Sequence, residues 1–412
     1  MVSTTETNPD LIIAGGGLAG LVQAVLLGSS GWKIGVLERS DGLSALADPR
    51  SLALSESTRH ILDSVGAWDA LSSECAPVSH IDVSQRGAFG STRLHAEDEQ
   101  LPALGYVVPA GTLAGILRKT VDDSPNCEIL TQTSVEQVQP QETGIELKIR
   151  KDAASQTMSA RLLIAADGAR SALRDALGLH AEEVDYDQSA VVAEVEMDRE
   201  AEGWAHERFT DTGPLALLPH PSGRRALVWA LSRDGVRQAR SWSGSKFCRE
   251  LQQVLGSRAG QVIDAGPRNF YDLTFRRVRQ RVGTRSVLIG DAAYGFHPVA
   301  AQGFNLVVRD AAWLAQELRD AKQERTDPGD PELLEGYACA RNTDAQRVAG
   351  FTDFLARGFV MQNPLIRGAR AASLFALEGM PQCRTRLIRF GMGADLPQAD
   401  LALKMKEEQA HA

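Results

Sequence analysis

The sequence predicts an α/β chain: a parallel sheet with helices, an inserted and mainly antiparallel β-sheet, and a C-terminal helical region. Three observations predict it. First, the short apolar run Leu11-Ile12-Ile13-Ala14 leads into Gly15-Gly16-Gly17-Leu18-Ala19-Gly20, then a helical stretch from Leu18 to Leu27 and a strand from Lys33 to Leu37. That order is a β-α-β unit. Second, two later strands end in similar turns: Leu162 to Ala166 enters Asp167-Gly168-Ala169-Arg170-Ser171, and Val287-Leu288-Ile289 enters Gly290-Asp291. Third, between about Val184 and Gln261 the texture changes to strands such as Val191 to Val195 and Arg225 to Ala230, separated by the turn residues Pro219 to Gly223.

The remaining elements follow in order. Helices are expected at Ser57 to Val65 and Gly111 to Val121, and strands at Glu128 to Val138, Gly144 to Ile149 and Ser159 to Ala165. Asn305 to Leu318 reads as an amphipathic helix. Residues 8–80, 105–180 and 266–345 are assigned to the parallel-sheet domain, 81–104 and 181–265 to the inserted sheet, and 346–412 to the helical region.

Bulk properties bound the function. A chain of 412 residues is long enough for roughly two to three domains with their own cores. With 43% hydrophobic and 24% charged residues it reads as a globular protein. A formal net charge of −9 and the lack of a basic tail argue against nucleic acid as a partner. The five cysteines (75, 127, 248, 339 and 383) are scattered without C-x-x-C or metal spacing, so no metal is expected. The polar start, Met1 to Pro9, lacks a signal-peptide layout, and no apolar run reaches the ~20 residues of a spanning helix. A cytoplasmic location is expected, with peripheral contact at the inner face of the membrane left open.

The glycine patch carries the first chemistry. In G-x-G-x-x-G, Gly15 allows the tight turn, Gly17 lets backbone approach a pyrophosphate, and Gly20 lets helix and strand pack closely. The helix start at Leu18 and Ala19 offers N–H groups and a positive dipole end to phosphates. Glu38 ends the next strand 18 positions after Gly20, placed to accept hydrogen bonds from a ribose. A bare glycine match also fits a structural turn; the flanking strand and Glu38 favour a dinucleotide and a Rossmann-like domain. Asp167-Gly168 alone reads more readily as a surface turn. It gains weight because Ser171 and Arg174 open a helix behind it, and Asp291 at its own strand end suits a polyol hydroxyl. Three such strand ends can converge on one crevice.

These residues resemble the class A flavoprotein aromatic hydroxylases, with the para-hydroxybenzoate-hydroxylase-like fold. The resemblance is carried by Gly15 to Gly20 with Glu38, by Asp48-Pro49-Arg50 before Ala53-Leu54-Ser55, by Asp167 to Ser171 with Arg174, and by Gly290-Asp291-Ala292-Ala293 followed by His297-Pro298. It covers the chain to about Gly393. Within the family the texture is most similar to the ubiquinone-biosynthesis branch, especially the 2-polyprenyl-6-methoxyphenol hydroxylases. His80 to Gly87, Gly213 to Pro219 and Gln302 to Leu306 carry that closer match. The resemblance implies FAD, held by Gly15, Gly17, Leu18, Ala19, Gly20, Glu38, Arg39, Arg50, Asp167, Gly168, Gly290, Asp291, Pro298, Gly303, Phe304 and Asn305. It further implies NADPH or NADH and O2 as co-substrates, and an aromatic, prenylated phenol as the molecule hydroxylated. Hydroxylation of another ring position, a soluble aromatic substrate, or a flavin reductase without oxygen insertion stay open beside it.

Where the family usually carries glycine before Gln302-Gly303, this chain has Ala301, which is expected to fit only with negative φ. The backbone N–H groups from Gly303 to Asn305 are expected to face the flavin's pyrimidine edge, and Arg50 to balance its charge or lie solvated after a turn. The flavin carries the chemistry, so no triad is expected and no catalytic residue is assigned. His297 and His220 are weak candidates as bases for a phenolic proton; the alternatives are a backbone role for His297 and a surface turn for His220. Gly213 to Pro219 is expected to lie over the flavin, with Leu215, Leu217 and Leu218 equally suited to a prenylated ring or to the core. Gln346 to Gly393 holds seven arginines against two acids, and Val348, Phe351, Leu355 and Phe359 fall near helical spacing. That pattern suits contact with an anionic membrane or a biosynthetic complex through 346–393, or a packed helix with solvated arginines.

Overall fold

The computed structural model describes residues 8–88, 90–152, 154–360, 364–393 and 399. Its six-stranded sheet runs in the order 282–283, 286–288, 162–165, 11–14, 34–37, 127–130. All neighbours are parallel except the 282–283 edge. Every residue of Leu11–Ala14, Ile34–Leu37 and Leu162–Ala165 is buried, the continuous apolar run of a parallel sheet covered on both faces. On one face Leu11, Ile13, Ile34, Val36, Leu162 and Ile164 pack with helices Leu18–Leu27, Ala110–Asp122 and Gln302–Glu324. On the other, Ile12, Ala14, Leu163 and Ala165 meet Ile145, Leu147 and Ile149 of a three-stranded antiparallel meander.

The expected strand at Glu128 to Val138 is two strands, Cys127–Leu130 and Thr133–Pro140, because Gln132 turns with φ 53° and moves the chain from the parallel sheet into the meander. In the same way Ser159 and Ala160 close the meander, and the parallel strand starts only at Leu162. The late helix begins at Gln302, three residues before the expected start.

The second sheet has nine strands, in the order 294–295, 269–278, 181–197, 225–232, 213–219, 204–210, 80–85, 91–95, with 262–265 also paired to 181–197. It is antiparallel except between Trp204–Thr210 and His80–Gln85. Asn269–Val278, beyond the boundary expected at 265, is a full strand of this sheet. One face carries a core of Val191, Leu215, Leu217, Trp229, Phe247 and Leu251 beneath helices Arg233–Ser241 and Gly244–Leu255. The other face looks toward the parallel-sheet domain across a cavity. Helices Pro331–Val360, Pro364–Glu378 and Pro381–Met392 close the chain, and Thr92 on the sheet edge donates its hydroxyl to the Leu374 carbonyl at 2.5 Å. Among the described residues no helix is long and apolar enough to cross a membrane.

Candidate active site

The glycine turn is fixed by sterics. Gly15 has φ 125°, and a Cβ there would sit 2.2 Å from the Ala166 carbonyl oxygen. A Cβ on Gly20 would sit 1.9 Å from the carbonyl oxygen of Gly15. Gly15 N–H donates to Leu37 O at 2.8 Å, and Gly16 N–H donates to Glu38 Oε2 at 2.9 Å. Glu38 Oε1 accepts from the backbone and hydroxyl of Ser40 at 2.7 and 2.6 Å. Three acceptor positions are thus filled, which leaves a further lone pair for a ribose hydroxyl. Gly17 caps the Leu18–Leu27 helix with no side-chain cap and no acid in the first turn, so the first N–H groups stay available to an anion.

The other two strand ends lock onto the first. Ser171 caps the short Ala172–Ala176 helix, and its hydroxyl donates to Asp167 Oδ1 at 2.5 Å while Leu173 N–H donates to Oδ2 at 3.1 Å. Arg174 reaches across to donate to the Ala292 carbonyl at 3.2 Å. Gly290 has φ 62°, and a Cβ there would lie 2.6 Å from Ala19 Cβ, so the third turn packs on the first helix. Arg50 holds Asp48 with Nε at 3.0 Å and Nη2 at 2.6 Å and lies 5.7 Å from the Tyr271 ring centre. Asp291 extends its carboxyl into the cavity but is otherwise walled by protein; that confinement raises its pKa, against the pull of Arg50 and Arg276.

The ring-side loop departs from the expectation of negative φ. Ala301 has φ 50° and Ala300 φ 61°, both left-handed. Neighbours hold them there: Asn305 Nδ2 donates to Ala301 O at 2.8 Å, Gln302 Nε2 to Ala300 O at 3.1 Å, and Ala301 N–H to Pro298 O at 3.0 Å. A left-handed alanine costs roughly 1–2 kcal/mol. Ala301→Gly is therefore expected to keep FAD and to raise stability by about 0.5–1 kcal/mol once glycine's larger chain entropy is subtracted, read from denaturant midpoints. Asn305 spends its whole side chain on the protein: Oδ1 accepts from Ser55 N–H and the Thr58 hydroxyl, and Nδ2 also donates to Ala53 O. Its contribution toward a cofactor is confined to backbone.

His297 is 1% exposed, and burial pushes its pKa down to about 4, against a weaker upward pull from Asp353. Its Nδ1 accepts the Val299 N–H at 3.2 Å, which places the proton on Nε2. A neutral imidazole so poor in basicity makes a weak acceptor for a phenolic proton. The group binds its proton more readily unfolded than folded. Its contribution to stability is therefore complete above the ordinary histidine pKa of 6.5 and is lost as pH falls from there toward about 4. His297→Gln should flatten stability against pH in that window by roughly 2–4 kcal/mol, measured by chemical denaturation at several pH values. His220 is buried in its turn, with Nδ1 2.7 Å from the Ser222 hydroxyl, and does not line the cavity.

All three turns open on one cavity of about 1620 Å³. Its wall includes Gly17, Leu18, Ala19, Glu38, Arg50, Gly168, Gly290, Asp291, His297, Pro298, Gly303, Phe304 and Asn305. Gly15, Gly20 and Asp167 shape the turns from behind the wall, and Arg39 is exposed away from it. Gly16 of the glycine patch also stands on the wall, as do Tyr271, Asp272, Arg276 and Glu207, which no local motif marks. The strand Gly213–Pro219 does border the cavity, through Ala216 and Leu218; Leu215 and Leu217 point to the opposite face, into the helix-covered core. Strand alternation decides that split. The volume exceeds the ~300–1,000 Å³ of an ordinary small-molecule site, as a dinucleotide plus a second ligand requires. A Cβ at Gly17 or Gly168 would have nothing within 4 Å, so the backbone at both turns borders open space. The residues present fit FAD.

This fold and cradle define a flavin-dependent oxidoreductase. The family model described as FAD binding domain matches residues 8–352, and the chain belongs to that family, as a FAD-dependent monooxygenase with NAD(P)H as co-substrate. It is 34% identical over 388 residues to the ubiquinone hydroxylase UbiL of Rhodospirillum rubrum, covering 93% of this chain and 89% of that protein. It is 27% identical to the 3-demethoxyubiquinol 3-hydroxylase of Escherichia coli, covering 94% of this chain and all of that one (100%). The solved p-nitrophenol 4-monooxygenase PnpA of Pseudomonas putida shares the fold with a TM-score of 0.80 at 19% identity, over 93% of this chain and 98% of that one.

Proposed function

We propose that this chain hydroxylates the aromatic ring of a polyprenylated phenol on the route to ubiquinone. The observation that carries the reading is the continuity of the cavity: the glycine turns at one end open without a partition onto an aliphatic sheet face and helices at the other. When bound, FAD reduced by NAD(P)H supplies oxygen transfer from O2. The chain's own residues bind, orient and exclude water. The first turn and the Leu18–Leu27 helix start would take the pyrophosphate, Glu38 a ribose, and Asp291 a polyol hydroxyl. The N-terminal N–H groups of the Gln302–Glu324 helix would stabilise negative charge at the ring. Val83, Val192, Ala216 and Val228, with Phe351, Leu374 and Ile388 from the C-terminal helices, offer the dry surface a prenylated ring needs.

The similarity to relatives named as ubiquinone hydroxylases supports the substrate class. The reading is tested by NAD(P)H oxidation with and without short-chain 2-prenyl-6-methoxyphenol, with peroxide measured alongside. The phenol is expected to accelerate oxidation and suppress peroxide. Faster oxidation with all the electrons recovered as peroxide would overturn it.

Peripheral contact with a membrane extends the proposal. Val348, Phe351 and Leu355 turn inward to the core or cavity, and the side chains of Phe359 and Arg367 lie outside the described residues. The outward apolar groups are Phe375, 72% exposed on a helix that lines the cavity through Leu374 and Leu377, and Met380, 53% exposed just before the last helix; Phe354, 69% exposed, also borders the cavity. Arg357 pairs with Asp353, Arg384 with Asp98 and Glu378, and Arg389 with Glu99, so insertion of aromatic rings outweighs charge. Replacing Phe375 and Met380, neither of which lines the cavity, by serine should weaken cosedimentation with lipid vesicles roughly tenfold or more, with FAD content unchanged.

A further inference from the structure

Glu207 occupies a position that the flavin chemistry leaves without a task. Across five strands of the large sheet, Val83, Glu207, Ala216, Val228 and Val192 stand side by side in register. All five line the cavity. Four are aliphatic; the fifth is a carboxylic acid. The flanking cavity-side residues of its own strand, Ala205 and Phe209, are also apolar. Of the polar groups nearby, His206 and Arg258 each lie against Asp82, at 3.8 and 3.4 Å, and His206 also borders the cavity. Glu207 Oε1 is shielded from solvent and has no hydrogen-bond partner. A buried polar oxygen left this way costs roughly 1–3 kcal/mol until something satisfies it.

We propose that Glu207 positions the aromatic substrate by hydrogen-bonding its phenolic oxygen, so that the ring is oriented by one polar contact on an otherwise aliphatic floor. The inference rests on the phenol-hydroxylase reading and names the group that recognises the phenol. Burial alone pushes the Glu207 carboxyl up to about 8, so at neutral pH it is mostly protonated and can donate to that oxygen. A protonated acid in an apolar recess also discriminates against a ring lacking the hydroxyl, because it then stays unpaired. Glu207 is a positioning residue, and no bond to carbon is made or broken by it.

The test uses the FAD-loaded enzyme and its Glu207→Leu, Glu207→Met and Glu207→Gln variants. Dissociation constants are read from the flavin spectrum for short-chain 2-prenyl-6-methoxyphenol and for its counterpart lacking the phenolic hydroxyl. Wild type should prefer the phenol by roughly tenfold to a hundredfold. Both apolar variants should lose that preference while binding the deoxy compound at least as tightly, and Glu207→Gln should restore part of it. Thermal stability of the apolar variants should be equal to or above wild type, since an unpartnered buried oxygen is removed. A wild-type preference kept within twofold by both apolar variants would overturn the role of Glu207 and leave the hydroxylase reading standing. Failure of wild type to prefer the phenol would likewise overturn the role of Glu207, and the hydroxylase reading falls only if turnover recovers all the electrons as peroxide.

Discussion

Gly20→Ala is expected to purify without its flavin. The new methyl group would sit 1.9 Å from the Gly15 carbonyl oxygen and 3.3 Å from Ile13 Cγ2. Gly15 cannot yield, because its N–H is bonded to Leu37 O and its own Cβ position is filled by Ala166 O. The helix from Leu18 to Leu27 must therefore move away from the strand by about an ångström or more, carrying with it the N–H groups that would face the pyrophosphate. Overpacking of this kind costs up to about 3 kcal/mol, which falls on the cradle and weakens FAD binding roughly a hundredfold. The ratio of flavin absorbance to protein absorbance after dialysis measures it, and Gly336→Ala, inside the Pro331–Val360 helix with nothing within 4 Å, serves as the comparison for glycine loss alone.

The largest loss of stability is expected from Arg341→Met. Arg281, Asp310, Arg341, Asp344 and Arg309 form a chain of ion pairs, each side chain no more than 4% exposed. Arg341 donates to Asp310 Oδ1 at 2.7 Å and also holds Asp344, which Arg309 holds from its other side at 2.9 Å. The network clamps the Gln302–Glu324 helix to Pro331–Val360 behind the cavity wall. Removing the middle cation leaves two buried carboxylates with one partner each and should cost about 3–5 kcal/mol. Flavin absorbance per folded molecule should stay unchanged, because none of these five residues lines the cavity. Burial works to raise the pKa of Asp344, but Arg309 and Arg341 outweigh it and hold the carboxyl below its ordinary value. A lowered folded-state pKa means this stabilisation is present above the ordinary carboxylate range and lost as pH falls through the lowered value. In Arg341→Met the acid transition should therefore move to higher pH, read by circular dichroism across a pH series.

Much of the geometry of the glycine-turn end of the cavity was legible because its reasons are local. A glycine at each steric pinch, an acid closing the second strand and a serine capping the turn at Asp167 each answer to neighbours within a few residues. The sheet-lined end was not, because alternation along a strand separates two faces without saying which meets a cavity. Leu215 and Leu217 look as apt for a ligand as Ala216 and Leu218, and only the pairing with distant strands tells them apart. Glu207 was hidden the same way, a glutamate in a polar-looking strand until its cross-strand neighbours are known. The tie from Asn305 to Ser55 and Thr58 spans some 250 residues, and no local pattern announces it. Ala301 misled for a different reason: residue type constrains φ by preference, and three hydrogen bonds overrode the preference.

Oxygen insertion into a phenol is read out by labelled dioxygen. The FAD-loaded enzyme is given NADPH, short-chain 2-prenyl-6-methoxyphenol and 18O2, and the product is weighed by mass spectrometry. Incorporation of one labelled oxygen per product molecule is the expected result. Nucleotide oxidation with no labelled product, or product labelled only from water, would contradict it.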